Sequence, residues 1–148
     1  MLIGEYIGKI SGKGRVALPA KLRDEMGDDV VVVRWYEGCL AVLISEKWRR
    51  LVEGLGEKRW EVAARETDRF LLSGAFEVAL DEQGRFVVPV ELRGYANLRE
   101  EVVFLGLWDR VEIWDRDLYL DYQKGLVTRA PEMMETLTRR GRKDESAG

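Results

Sequence analysis

The sequence predicts an α+β chain built from two tandem copies of one β-rich unit, and three observations carry that expectation. A nine-residue stretch, Ser11-Gly12-Lys13-Gly14-Arg15-Val16-Ala17-Leu18-Pro19, returns seventy positions later as Asp81-Glu82-Gln83-Gly84-Arg85-Phe86-Val87-Val88-Pro89. Runs such as Val30-Val31-Val32-Val33 and Val102-Val103-Phe104-Leu105 have strand composition, and the segments between them place apolar residues at helical spacing. Hydrophobic residues at 46% and charged residues at 34% suit a packed globular chain rather than a disordered one.

The duplication extends beyond the motif. Residues 2–26 laid on 72–96 without a gap match at Leu2/Leu72, Gly4/Gly74, Gly14/Gly84, Arg15/Arg85, Pro19/Pro89, Leu22/Leu92 and Arg23/Arg93, far more than two unrelated segments share. A chain of 148 residues leaves each copy too small to bury a core alone, so the two should dock as a pseudo-symmetric pair.

In order, residues 4–10 read as a short strand that stops at the Ser11-Gly12 turn, where Gly12 and Gly14 permit positive φ on either side of Lys13. Arg15 to Leu18 resumes as a strand. Pro19 suits the first turn of a short helix, with Leu22 and Met26 on one stripe and Gly27 at its end. Val30 to Val33 and Leu40 to Ile44 form strands around a turn at Glu37-Gly38. Ser45 is a candidate N-cap for a helix carrying Trp48 and Leu51, which Gly54 and Gly56 should break. An amphipathic helix over 57–72, with Trp60, Ala63, Ala64, Phe70 and Leu71 at spacings of three, four and seven, joins the copies. The second copy repeats the plan: strands at 76–80 and 86–88, a short helix from Pro89 to about Ala96, strands at 102–105 and 111–114, then a helix capped by Asp115 through Tyr119 and Tyr122. A further helix is expected from Pro131 to about Leu137. Beyond it a basic cluster, Arg139-Arg140-Gly141-Arg142-Lys143, opens a tail expected to be disordered, which either touches nucleic acid or keeps the terminus solvated. The boundaries are 1–54 for the first repeat, 55–72 for the connecting helix, 73–124 for the second repeat and 125–148 for the C-terminal helix and tail. Trp48, Trp60, Trp114 and Tyr119 are expected in the core or at a subunit interface.

The residues that are missing narrow the chemistry. There is no histidine, which removes His-based acid–base catalysis, Ser-His triads and His-ligated metals. Cys39 is the single cysteine and reads as a buried thiol. The run from Gly8 to Gly14 lacks the spacing and the terminal Ser/Thr of a phosphate-binding loop. Carboxylate pairs such as Asp28-Asp29, Asp81-Glu82 and Glu100-Glu101 sit where solvated turns are expected. No enzyme, cofactor, metal or small-molecule substrate is indicated. No run approaches the roughly 20 apolar residues of a membrane span, and the first residues lack the pattern of a signal peptide, so the expected location is cytoplasmic.

Charge separates the copies. Residues 1–23 carry Lys9, Lys13, Arg15, Lys21 and Arg23 against Glu5, a balance of +4; residues 72–93 carry Arg85 and Arg93 against Glu77, Asp81, Glu82 and Glu91, a balance of −2. The whole chain is at −3, so any polyanion must be met locally. Lys13 and Arg15 leave a glycine-rich turn on a two-stranded ribbon, a shape that can enter a major groove, where Arg binds guanine O6 and N7 together. The alternative is a turn that needs glycine, followed by an arginine paired with a nearby carboxylate.

Two turns of the Asp-x-x-Gly-Arg kind, each followed by an apolar triplet and Pro, resemble the MraZ family, as do Gly74-Ala75, Cys39-Leu40 and Glu112-Ile113-Trp114-Asp115. The likeness runs from about Leu2 to Tyr122. It implies two AbrB-like swapped-hairpin units forming a pseudo-dimeric β-barrel with helices outside, assembled as a ring-shaped homo-oligomer. It also implies a nucleoid-associated transcription factor that binds G-rich direct repeats in double-stranded DNA upstream of its own operon, the division and cell-wall cluster, and represses it. The first turn departs from the family by starting with Ser11 in place of Asp. Lys13 and Arg15 are therefore the primary DNA-binding candidates, with Gly12, Gly14 and Lys9 around them and Arg85 secondary. The alternative is an oligomeric interaction protein whose Gly-Arg turns bind an acidic protein partner.

Overall fold

A computed structural model of the chain describes residues 1–147, with side chains through Arg142. It divides into two compact units, Met1–Arg116 and the stretch from Asp117 onward. The first unit holds β1 (Ile3–Lys9), β2 (Arg15–Ala17), α1 (Ala20–Met26), β3 (Asp29–Arg34), β4 (Leu40–Ile44), α2 (Ser45–Gly56) and α3 (Val62–Leu72). It continues with β5 (Ala75–Ala79), β6 (Arg85–Val87), α4 (Val90–Ala96), β7 (Glu101–Leu107) and β8 (Val111–Asp115). A 3-10 turn at Tyr36–Gly38 joins β3 to β4, where the sequence places its turn.

Six strands form one antiparallel sheet in the order β1-β7-β8-β4-β3-β5, and β2 pairs with β6 as a separate ribbon. The copies interleave. β1 of the first lies beside β7 of the second, and β5 of the second beside β3 of the first. Neither copy completes its own sheet, in keeping with the expectation that neither half stands alone. The closed barrel is not found. Both β2 and β6 pair with each other, which leaves no strand to join the free edges of β1 and β5.

β3 is buried on both faces although it lies next to the edge strand, which is why it reads as an unbroken Val run rather than an alternating one. Val30 and Val32 face a core shared with Val16, Leu18, Phe86, Val88, Leu22 and Leu92 from the ribbon and short helices. Val31 and Val33 lie on the opposite face, and α2 and α3 pack against β3. Val32, Val33, Leu40 and Val42 are fully buried, each side chain worth roughly 1.5–3 kcal/mol of removed apolar surface. Glu112 and Asp115 are buried but partnered: Glu112 accepts from Trp114 Nε1 at 3.0 Å and Arg110 Nε at 2.8 Å, and Asp115 from Arg99 Nη2 at 3.4 Å.

Several helix expectations change. Ser45 is the first residue of α2 rather than its cap, and its Oγ donates to the Asp29 carbonyl at 3.2 Å. Gly54 lies within α2, which ends at Gly56. The joining helix starts at Val62 instead of 57, since 57–60 form turns, and Trp60 is 78% exposed rather than packed. Asp115 ends β8. One helix, α5 (Arg116–Ala147), whose first residue closes the first unit, forms the described part of the second, where two helices and a disordered tail are expected. It runs through Gly125 and Pro131; the proline removes one intrahelical hydrogen bond without ending the helix. Thr128, Thr136 and Thr138 each donate to the carbonyl four residues back. Arg139, Arg140 and Arg142 are exposed on α5, whereas the Lys143 side chain and Gly148 lie outside the described residues. No helix among the described residues is long and apolar enough to cross a membrane.

The β1–β7 junction has no room for a side chain at Gly106, which faces Gly4; a Cβ there would lie 2.6 Å from the Ile3 amide nitrogen. Gly106→Ala should therefore push β1 away from β7 and destabilise the fold by about 1–3 kcal/mol, read as a lower midpoint in urea unfolding.

Candidate nucleic-acid interface

Each motif is a tight turn followed by a three-residue strand. In the first, the Gly14 amide donates to the Ser11 carbonyl at 2.9 Å and the Ser11 amide to the Arg15 carbonyl at 3.0 Å. In the second, the Gly84 amide donates to Asp81 at 2.9 Å and the Asp81 amide to Arg85 at 3.1 Å. The turns close only with φ of +84° at Gly14 and +75° at Gly84, a region that side chains disfavour. Gly12 has no positive φ and open space around it, so the turn requires one glycine where the sequence suggests two.

Val16 pairs with Phe86, and both are buried against the core. Alternation then turns Arg15, Ala17, Arg85 and Val87 to solvent on one ribbon face. Both Gly-Arg arginines thus share a face, Arg15 opposite Val87 and Arg85 opposite Ala17. A shallow groove of about 420 Å³ runs past them, lined among others by Lys9, Ser11, Arg15 and Arg85. Of the six candidates, the groove gathers Lys9, Arg15 and Arg85. Gly12 and Lys13 form the exposed tip of the turn and do not line it, and Gly14 is buried.

The copies brace each other. The Val88 amide of the second donates to the Gly14 carbonyl at 2.8 Å, and the Leu18 amide of the first to the Gly84 carbonyl at 3.0 Å. Beneath Gly14 lies the Arg93 side chain, with Cζ and Nε 2.6 Å from where a Cβ would stand. Beneath Gly84 lies Arg23, its Cδ 2.7 Å from the equivalent point. Arg23 and Arg93 belong to the repeat identities, which is the signal that could have drawn them into the candidate set.

Electrostatics then separates the turns. Ser11 Oγ accepts a single bond, from the Arg15 amide at 3.0 Å. Asp81 Oδ1 accepts from the Gln83 and Arg85 amides, both at 2.8 Å, while Oδ2 holds Arg85 Nε at 2.8 Å. The alternative reading of arginine paired to carboxylate therefore describes Arg85. It does not describe Arg15: among the described residues, the side chains of Lys9, Lys13 and Arg15 make no ion pair. Arg15 leaves a planar fork of donors available to a phosphate or a guanine edge.

Other chemistry is sparse. Burial first, then the neighbouring Glu112 charge, pushes the Cys39 thiol far above its ordinary range, so it is no nucleophile at neutral pH. No cluster able to hold a metal ion is found among the described residues.

The bonds from the Arg85 amide and guanidinium, with that from the Gln83 amide, hold the Asp81 carboxyl at about 2, below its ordinary 3.8. Because the folded value is depressed, its stabilisation is complete above pH 3.8 and is lost as pH falls through 2. A carboxyl carbon NMR titration should show this value. Arg85→Ala should raise it only part of the way, since the amide donors remain.

A model for the family described as "MraZ protein, putative antitoxin-like" matches the chain twice, over residues 1–70 and 71–141. The chain is 41% identical over 138 residues to a protein of Heliobacterium modesticaldum, covering 93% of this chain and 96% of that one. A protein of Caldanaerobacter subterraneus subsp. tengcongensis is 37% identical over the same length and shares. One of Bifidobacterium longum is 42% identical over 127 residues, 82% of each chain. All three are named "Transcriptional regulator MraZ", the name of a regulator and not of an enzyme. With its doubled Gly-Arg turn and both halves matched, the chain belongs to the MraZ family.

Proposed function

We propose that the protein is a sequence-specific DNA-binding regulator that represses the division and cell-wall gene cluster by binding G-rich direct repeats in its own promoter. The name of its relatives supports the regulatory part of this reading. The observation that carries DNA contact is Arg15 on the solvent face of the ribbon, which among the described residues makes no ion pair, beside a Lys13 that makes none there either. Lys13 and Arg15 are the primary contacts, Lys9 supplies charge along the groove, and Gly12 and Gly14 let the backbone approach. Arg85 is secondary because Asp81 already occupies its guanidinium. The interleaved strands fit two swapped-hairpin units, and the assembly is a ring-shaped homo-oligomer associated with the nucleoid. One turn gives a weak contact; a ring presenting several at repeated spacing gains roughly 10²–10⁴ in avidity. That is how a chain of net charge −3 holds a polyanion.

Fluorescence anisotropy with a duplex from the upstream region tests the assignment. Arg15→Ala should cost on the order of 1–3 kcal/mol per contact and relax discrimination at guanines, while Arg85→Ala should cost less. Unaltered binding by Arg15→Ala would sink the site. Retention of an acidic protein with no salt-sensitive DNA binding would favour the interaction-protein alternative.

A further inference from the structure

We infer that Arg93, a residue of the second repeat, contacts DNA phosphate at the first repeat's turn, so that the binding site is composite between the copies. The inference rests on the DNA-binding reading above and adds to it a residue, a ligand group and an origin.

Arg93 lies against the backbone of Gly14, where a Cβ would come within 2.6 Å of Cζ and Nε and 2.8 Å of Nη1. Its Nε is buried, with no hydrogen-bond acceptor among the described residues. Among the described residues the Arg93 side chain has no carboxylate partner, and Glu91, two residues back on α4, makes no ion pair. A guanidinium partly removed from water without a counter-charge is unfavourable unless an anion arrives to satisfy it. Lys13 and Arg15 above it are cations as well, and the turn they occupy holds no acid.

The second copy supplies an internal control. Arg23 sits beneath Gly84 as Arg93 sits beneath Gly14. The turn above Arg23 carries Asp81, Glu82 and Arg85, so it already holds negative charge and ties its own arginine. Equivalent positions thus face opposite fields. Arg23 also makes no ion pair among the described residues, but it lies under a turn that carries net negative charge, whereas Arg93, with its buried Nε unsatisfied, lies under a turn that carries only cations and calls for an external anion. Phosphate is the anion a bound duplex places beside a ribbon contact, since most protein–DNA hydrogen bonds go to the backbone.

The test measures affinity of the full-length protein for the upstream duplex across a salt series, with thermal melting of each variant. Arg93→Gln should weaken binding and make the slope of log K against log salt shallower by roughly 0.9 for each turn engaged. Arg93→Lys keeps the charge and should restore most of the slope. Arg23→Gln should leave it unchanged. A wild-type slope in Arg93→Gln, even with a lower melting temperature, makes Arg93 a structural prop and overturns the inference; so does an equal loss of slope in Arg23→Gln. Should Arg93→Gln not fold, the Nε–Hε signal of Arg93 in unmutated, 15N-arginine-labelled protein decides. A shift on adding duplex supports the contact, and an unmoved signal overturns it. If wild-type protein does not bind the duplex at all, the DNA reading fails and takes this inference with it. If Arg15→Ala abolishes binding while Arg93→Gln keeps its slope, only this inference fails.

Discussion

The carbonyls of Gly14 and Gly84, each taken by an amide of the opposite copy, lock the two turn motifs of this molecule to one another. Each turn needs a positive-φ glycine to close. Its carbonyl then points at the residue before the other copy's proline, Val88 or Leu18. The missing Cβ also opens the space that the other copy's arginine fills. A single such hydrogen bond contributes only about 0.5–1.5 kcal/mol net. Their importance is geometric, because they fix the register of β2 against β6 and so the side of the ribbon on which Arg15 and Arg85 emerge.

On this symmetric frame the charges are unequal. Residues 11–20 and 81–90 share the same pattern of exposure position by position, so the backbone treats both motifs alike. Besides Glu82 and Gln83 in place of Gly12 and Lys13, the first residue of each turn sets the state of its arginine. A carboxylate at position 81 makes three bonds and neutralises its own arginine, whereas a hydroxyl at position 11 makes one and leaves Arg15 alone. Duplication preserved the fold because packing and glycine geometry constrain it. The charge of the turns was free to diverge, since exposed side chains contribute little to stability.

Much of the fold was legible in the sequence. Val30 to Val33, Leu40 to Ile44 and Val111 to Trp114 announced strands through composition, and the proline before α1 and α4 announced short helices. What sequence could not show was pairing across the copies: nothing in Ile3 to Lys9 says that its neighbour is Glu101 to Leu107, because register is a long-range property. Helix ends misled for local reasons. Gly54 costs about 1 kcal/mol in a helix interior and Pro131 about 3 kcal/mol, and both were overridden. Trp60 kept a helical spacing but fell in a turn before α3, where spacing carries no facing information. In the candidate site the exposed turn position of Arg15 was legible from glycine and charge, whereas the pairing of Asp81 with Arg85 was not, because the sequence named no particular carboxylate for either arginine. Arg93 was visible only as an identity, since its meaning depends on Gly14 in the other repeat.

The interleaved sheet has a consequence for how the chain comes off the ribosome. Ile3 to Lys9 waits for Glu101 to Leu107 before it has a partner, and β3 has only β4 beside it until β5 emerges. A fold with such distant pairings closes its largest loop before most of its sheet is rewarded, which slows the final step. During synthesis the Val-rich strands of the first repeat are therefore made well before the strands that flank them. The period of greatest aggregation risk falls between the synthesis of β4 and that of β7, so this protein's vulnerability is set by translation order as much as by final stability.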